Sequence, residues 1–366
     1  MSKYFDIAIV GAGIAGSSLA AELARQGSLV VLEGESAPGY HSTGRSAAFW
    51  EECYGGPEIV PLTLASGEYL RDGGFLTERG ALYAGRDEDA GKLDEFMARF
   101  ENSGAQLERI DRARLAAILP GVKPAWTDAI WEPACADIDV AALHAHFLSR
   151  ATRGGAVIQT NARLVSAAQR TGGWDLTCVD GSRFAAGILV NAAGAWADQV
   201  AAMAGVKPVG ITPYLRTVAQ LRTDPAPDPA QPLVLDISGR FYFKPESGRV
   251  WLSPHDEEPS PPCDVAAGEL GVATAIAQFE KVVDWRIEAV ERKWAGLRSF
   301  APDRMPVFGF DPDVSGFFWF AGQGGFGIQT SPAAAAGAYE LLTGDQLTGR
   351  TSGVDMARYS PARFMS

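Results

Sequence analysis

Gly11-Ala-Gly-Ile-Ala-Gly16 carries the spacing GxGxxG, and Glu33 follows about 20 residues on. At this spacing Gly11 allows a tight turn, Gly13 lets a diphosphate approach the backbone, and Gly16 lets a helix pack close to a strand. Ile14 and Ala15 open that helix, whose free N–H groups and positive dipole end face the phosphates. Glu33 is placed to hydrogen-bond ribose hydroxyls, and its charge disfavours a 2′-phosphate. The chemistry is dinucleotide binding. A second set of residues concerns an anion. Arg298 lies in the apolar run Trp294-Ala-Gly-Leu-Arg-Ser-Phe300, where an unpaired guanidinium is costly to bury. It needs a carboxylate, either a substrate's or one of the chain's own. Arg216 offers the same planar fork; its alternative is an ordinary strand-face arginine. Tyr242, between Phe241 and Phe243, faces away from both if that run is a strand; its alternative is a plain packed tyrosine.

These groups need a frame. Residues 5–10 form a short β-rich run, as a buried parallel strand should. A helix follows with Ala15, Leu19 and Leu23 on one face and Gly27 as its C-cap, then a strand over 29–32 that leads to Glu33. Strand, glycines, helix, strand and acid in that order predict an α/β, Rossmann-like domain. Asp139 reads as the N-cap of a helix over 140–151, with a strand at 156–159 after Gly154-Gly155. Runs at 165–168 and 174–179, with an Asp180-Gly181 turn, suggest a small antiparallel insertion. The strand 187–190 runs into Asn191-Ala-Ala-Gly-Ala-Trp-Ala-Asp198. Between 213 and 298, strand-like runs alternate with Pro-rich loops, which predicts an interleaved α+β domain on a mostly antiparallel sheet. Residues 316–321 read as a strand, followed by Gly322-Gln-Gly-Gly-Phe-Gly327 and a helix over 333–342 capped by Thr330 or Ser331, with Pro332 in its first turn. The expected division is 1–78, 139–212 and 296–366 for the nucleotide domain, and 79–138 and 213–295 for a substrate domain. A second glycine turn lying over the cofactor suits a flavin, so the pattern favours FAD over NAD.

A chain of 366 residues can hold two cores, and a net charge of −12 argues against nucleic acid. No run approaches the ~18 apolar residues of a membrane span, and no signal peptide is evident. Cys53, Cys135, Cys178 and Cys263 are scattered and read as reduced thiols of a cytoplasmic protein. His144 and His146 point to different faces of their helix, and Asp137 and Asp139 read as turn and cap residues, so no metal site is expected.

The segments 11–16 with Glu33, 191–198, 294–300 and Gln323-Gly-Gly-Phe-Gly-Ile-Gln329 together resemble the D-amino-acid oxidase superfamily of FAD enzymes, over nearly the whole chain. Pro38-Gly-Tyr-His-Ser-Thr-Gly-Arg-Ser-Ala-Ala48 further resembles the bacterial D-arginine dehydrogenases, which are D-amino-acid dehydrogenases. The resemblance implies noncovalent FAD. His41, Ser42, Thr43, Arg45, Ser46, Ala47 and Ala48 would lie against the flavin ring and pyrophosphate, and the backbone of Leu164 and Val165 would touch the adenine. Ala193, Gly194, Trp196, Arg298, Gly324, Gly325, Gly327, Ile328 and Gln329 would complete the cofactor site. On the substrate side, Arg216 and Arg298 would grip a carboxylate, with Tyr242 donating a further hydrogen bond. Tyr54 would stand in the pocket, Gly325 would offer its carbonyl to the substrate amine, and Gln329 would stand nearby.

The chain also departs from that pattern. Ala81 stands where the arginine-specific relatives carry a guanidinium-binding Glu. Phe49 replaces a pocket His, with Trp50 beside it, and Glu51 replaces a Thr. The pocket loses a distal carboxylate and gains apolar surface, so a neutral or aromatic side chain is expected; Glu51 would restore a cation site if it points inward. The expected reaction is hydride transfer from Cα of a small-molecule amino acid to flavin N5, giving an imino acid that hydrolyses to a 2-oxo acid and ammonia. A helix N-terminus after Gly327 would stabilise the charge left on the flavin. No general base stands out, and the electron acceptor is open between oxygen, a quinone and another carrier. A sarcosine- or glycine-type amine oxidase and a 2-hydroxy-acid dehydrogenase are alternatives on the same fold; a non-catalytic FAD-binding scaffold is the alternative outside it.

Overall fold

The computed structural model describes residues 3–47, 49–346 and 349–364; Ala48, one of the expected cofactor contacts, lies outside the described residues. Strand Lys3–Val10 is exposed at its start and buried at Ala8, Ile9 and Val10. It pairs in parallel with Leu29–Leu32 on one side and with Arg183–Asn191 on the other. Val157–Gln159 extends the sheet beyond Leu29–Leu32, and Phe317–Ala321 lies parallel to the end of Arg183–Asn191. Leu164–Arg170 and Gly173–Cys178 form an antiparallel ribbon on the front half of Arg183–Asn191. All the parallel strands end at one edge, where Gly11, Glu33, Ala192 and Gly322 follow them. That edge is where an open α/β sheet binds ligands.

Helix Ile14–Leu23 stops at Ala24, three positions before the cap expected at Gly27. Gly27 is kept small for another reason. A Cβ there would sit 2.8 Å from Asp6 Oδ2, and that carboxylate accepts the Ser28 N–H at 2.7 Å. Asp139 does cap helix Val140–Arg153, accepting the Ala142 N–H at 2.9 Å. Asp137 is not a turn residue. It lies in strand Ala136–Ile138 and pairs with Arg79 and with Lys244.

A second sheet is built on Thr212–Asp224 and Arg286–Phe300, which pair antiparallel along their length. Arg249–Ser253, Tyr242–Glu246, Leu233–Asp236, Ala81–Gly85, Asp128–Glu132 and Glu108–Asp111 continue it, with one parallel step between Leu233–Asp236 and Ala81–Gly85. The division expected after residue 295 falls inside Arg286–Phe300, whose last two residues pair with Gln323–Gly324. This pairing brings the C-terminal glycine turn to the edge of the second sheet. A third small sheet, which no sequence pattern announced, joins Phe49–Trp50, Ala136–Ile138 and Leu76–Glu78. Around Tyr242 the strand alternation is direct. Phe241 and Phe243 enter a core with Phe279 and Trp285, and Tyr242 faces the other way, towards Phe49. No helix among the described residues is long and apolar enough to cross a membrane.

Candidate active site

The glycine turn is built by close approach. Gly11 has φ +100°, and a Cβ on it would lie 2.6 Å from the Ala192 carbonyl oxygen. A Cβ on Gly16 would run into the Gly11 carbonyl, so Gly16 sits behind the cleft and sets the helix-to-strand distance. Gly13 meets only Thr43 Oγ1, at 3.2 Å, and otherwise faces open space. The Ile14 N–H donates to Thr43 Oγ1 at 2.9 Å. Behind the turn, His144 Nε2 stands 2.9 Å from the Ala12 carbonyl, and burial lowers its pKa, so the imidazole is neutral and donates. Sequence reasoning gave His144 no such role. Glu33 is held at the cleft edge by the N–H groups of Ala12 and Glu35, each at 2.9 Å.

One continuous cleft is lined by Gly11, Gly13, Ile14, Ala15 and Glu33, by His41, Ser42, Thr43, Arg45, Ser46 and Ala47, by Leu164, and by Ala193, Gly194 and Trp196. Gly324, Gly325, Gly327, Ile328, Arg216, Tyr242 and Arg298 close its far end. His41 is fixed by Glu35 at 3.1 Å and packs 4.6 Å from the Trp196 ring. Arg45 pins its loop to the second sheet through the Ala295 carbonyl at 3.3 Å and to a neighbouring loop through the Val265 carbonyl at 3.0 Å. An open glycine face, a helix N-terminus and a carboxylate at the end of the second parallel strand fit a dinucleotide diphosphate and ribose.

Val165 is exposed, and its neighbour Leu164 lines the cleft. Gln329 is buried away from it, donating to the Glu51 carbonyl at 3.0 Å and to Thr63 Oγ1 at 2.8 Å. Its work is to hold the backbone of residue 51. Helix Ser331–Thr343 begins after Thr330, but neither hydroxyl caps it. Thr330 donates back to Phe326 and Ser331 to Ile328, and the Ala333 N–H goes to Ser66 Oγ.

Beyond this end of the cleft lies a second cavity of about 500 Å³, and Tyr242 and Arg298 line both. The Arg298 side chain has no ion pair or hydrogen bond among the described residues; its guanidinium lies over the Tyr54 ring at 5.5 Å. Arg216 is buried and donates from Nη2 to Glu257 at 3.2 Å; its Nε and Nη1 make no hydrogen bond, though Nε lies 3.8 Å from Asp256 Oδ1. Burial and the neighbouring Arg298 lower its pKa to about 10. The Tyr242 hydroxyl is also buried without a partner. Unmet donors and two cations on one wall call for an anion. Tyr54 and Arg298 press on Gly325, where a Cβ would overlap the Tyr54 hydroxyl and stand 3.0 Å from the Arg298 guanidinium carbon.

Phe49, Glu51, Tyr83, Phe96, Phe100 and Leu235 shape the rest of the second cavity. Ala81 is not part of it. It is fully buried within the sheet, paired to both Glu132 and Leu233. Trp50 points away, donating to the Thr63 carbonyl at 3.2 Å under the Arg71 guanidinium. Glu51 does point inward. Its Oε1 accepts from Tyr83 and its Oε2 is buried without a partner. Burial raises its pKa to about 7, against the pull of Tyr83 and Arg298. Burial, then the Glu51 charge, holds the neighbouring Glu132 well above the carboxylate range. The same burial and carboxylates push the Cys53 thiol up, leaving it neutral and a poor nucleophile. Tyr83, Glu132 and His255 were missed in the sequence. Tyr83 lies two residues from Ala81 on a strand, a period that could have found it. His255 enters the wall through a backbone turn at φ 57° that no local pattern marks.

The chain belongs to the FAD dependent oxidoreductase family, whose model matches residues 6–341. It is 26% identical to the glycine oxidase of Geobacillus kaustophilus (strain HTA426), over 100% of this chain and 98% of that one. It is 27% identical to the protein named uncharacterized oxidoreductase YurR of Bacillus subtilis (strain 168), over 97% of this chain and 98% of the other. Among solved structures, the G. kaustophilus glycine oxidase superposes with a TM-score of 0.84 at 23% identity, covering 99% of each chain. L-proline dehydrogenase from P. horikoshii superposes at 0.85 and 22% identity, covering 100% of this chain and 99% of that one. The protein is thus an FAD-dependent oxidoreductase with an α/β, Rossmann-like cofactor region.

Proposed function

We propose that this protein oxidises an α-amino acid at Cα, giving an imino acid that water converts to a 2-oxo acid and ammonia. The unpartnered Arg298 guanidinium, on the wall shared by the cofactor cleft and the second cavity, carries the reading. A carboxylate seated on Arg298, with the free Arg216 N–H groups and the Tyr242 hydroxyl, brings its α-carbon to the cleft. Bound FAD supplies the two-electron acceptor. The residues do the binding and orienting, with the Gly325 carbonyl as an acceptor for the amine. The relatives and structural neighbours include a glycine oxidase, an iminodiacetate oxidase and an L-amino acid deaminase, which supports an amino- or imino-acid substrate.

The preferred side chain is neutral or aromatic, because Phe49, Phe96, Phe100 and Leu235 offer it apolar walls. The D configuration rests on the resemblance of residues 38–48 to D-arginine dehydrogenases. Residues 79–138 and 213–295 are read as the substrate-binding part and the remainder as the cofactor-binding part. The unpaired cysteines suit a reducing, cytoplasmic setting. Incubation with D- and L-phenylalanine, leucine and arginine, followed by assay of 2-oxo acid and ammonia, tests this reading. Product from D-phenylalanine and D-leucine in excess of D-arginine is expected. Product from L-enantiomers only would overturn the stereochemistry, and no product from any amino acid would overturn the function.

A further inference from the structure

An amino acid in neutral water carries an ammonium group, and an ammonium nitrogen has no lone pair to form the C=N bond when hydride leaves Cα. One proton must go first. Of the titratable groups on the cavity wall, Glu58, Asp236, Glu257 and Asp303 are each paired to an arginine, which leaves Glu51 and His255 to take it. Burial and the charges of Arg216 and Arg298 drive His255 down to about 3, so it is neutral but a very weak base. Glu51 is different. It is 2% exposed, it lines the cavity, and its Oε2 has no hydrogen-bond partner. Its backbone is clamped by Gln329, from the same turn that carries Gly325.

Resting on the amino-acid reading above, we propose that Glu51 is a catalytic residue whose free Oε2 binds the substrate ammonium and accepts one of its protons. An N–H bond breaks and its electron pair stays on nitrogen; an O–H bond forms on Glu51. The pair on nitrogen then becomes the second bond of C=N as hydride leaves Cα for the oxidised flavin. The groups facing Glu51 suit this. Tyr83, from strand Ala81–Gly85, donates to Oε1. Glu132, from strand Asp128–Glu132, lies with Oε2 3.2 Å from the same hydroxyl, so Tyr83 stands between the two carboxyls. Burial pushes Cys53 and Tyr54 up, so both stay uncharged, and Arg298 is the cation that favours the Glu51 carboxylate. Glu51 therefore titrates near neutrality, where it can take a proton and release it. Tyr83 and Glu132 are positioning residues in this scheme.

Two readouts on the FAD-loaded protein test it. The first is the limiting rate of anaerobic flavin reduction by a D-amino acid against pH. In the wild type it is expected to rise through about pH 7 to a plateau. Glu51→Gln is expected to lose that rise with a rate at least about tenfold lower, and Tyr83→Phe to move the rise to higher pH. The second is binding, read by perturbation of the flavin spectrum, of an α-methyl amino acid that has no Cα–H, and of the same carboxylate without its amine. Glu51→Gln should weaken the first ligand at least about tenfold and leave the second within about twofold. An unchanged pH profile in Glu51→Gln, or equal weakening of both ligands, overturns the role of Glu51 and leaves the amino-acid reading standing. A wild type that binds neither ligand and is reduced by no amino acid overturns both.

Discussion

The guanidinium of Arg298 lies 5.5 Å from the centre of the Tyr54 ring, and the backbone of Gly325 is wedged against both. The strand that carries Arg298 and the turn that carries Gly325 are tied by the pairing of Ser299 with Gly324. One methyl group at Gly325 must therefore displace the Tyr54 hydroxyl and crowd the Arg298 guanidinium. Gly325→Ala is expected to fold and keep FAD, while kcat/KM for the amino acid falls about 100-fold. Flavin content and steady-state kinetics check both halves.

Arg298 has its own test. Lysine keeps the charge but not the planar fork. Arg298→Lys is expected to lower kcat/KM by roughly 100-fold, with a smaller effect on a substrate amide than on the acid. Equal losses on amide and acid would mean that Arg298 does not hold the carboxylate.

At the other end of the cleft, Glu33 lines the wall and each of its oxygens accepts one backbone N–H. Glu33→Ala removes both anchor and ligand. FAD affinity is expected to drop at least about tenfold, read by titrating FAD into apoprotein.

Much of this cleft was legible because its residues are close in sequence and each has a steric job. Gly11, Gly13, Gly16 and Glu33 lie within one strand–helix–strand unit, and the alternation around Tyr242 is a local property of a strand. The second cavity was less legible. It is assembled from strands whose partners lie far apart in sequence, so register decides which side chain reaches it. Ala81 was singled out where Tyr83 faces the cavity, and of Phe49, Trp50 and Glu51, all singled out, Trp50 turns away. Gln329 belongs to a recognised segment, yet its side chain turns back to Glu51 because the chain leaves the cleft at that point. The carboxyl pair of Glu51 and Glu132 depends on antiparallel pairing of Ala81–Gly85 with Asp128–Glu132, which no spacing reveals.

Ala81 gives a stability prediction. It is fully buried between paired strands and borders neither cavity. Ala81→Glu is expected to cost roughly 2–5 kcal/mol in denaturant unfolding and to create no preference for D-arginine. A stable variant with new D-arginine activity would place that side chain in the cavity after all.

The raised pKa of Glu51 has a sign for stability as well. The folded protein holds the proton up to about pH 7, whereas the unfolded chain releases it near the ordinary value of 4.5. Between these values the unfolded state binds fewer protons, so stability falls as pH rises, by about 3 kcal/mol in all. Glu51→Gln lacks this term. Its Tm relative to wild type is expected to climb between pH 5 and pH 8, and a Tm difference independent of pH would show that Glu51 is not titrating.

Anaerobic mixing of the FAD-loaded protein with D- and L-amino acids, sarcosine, glycine and lactate, followed at the flavin absorption band, bears on the proposed reaction most directly. Bleaching by D-amino acids is expected, fastest with neutral and aromatic side chains, with no bleaching by lactate. Bleaching by lactate alone, or by no member of the series, would contradict amino-acid oxidation at this site.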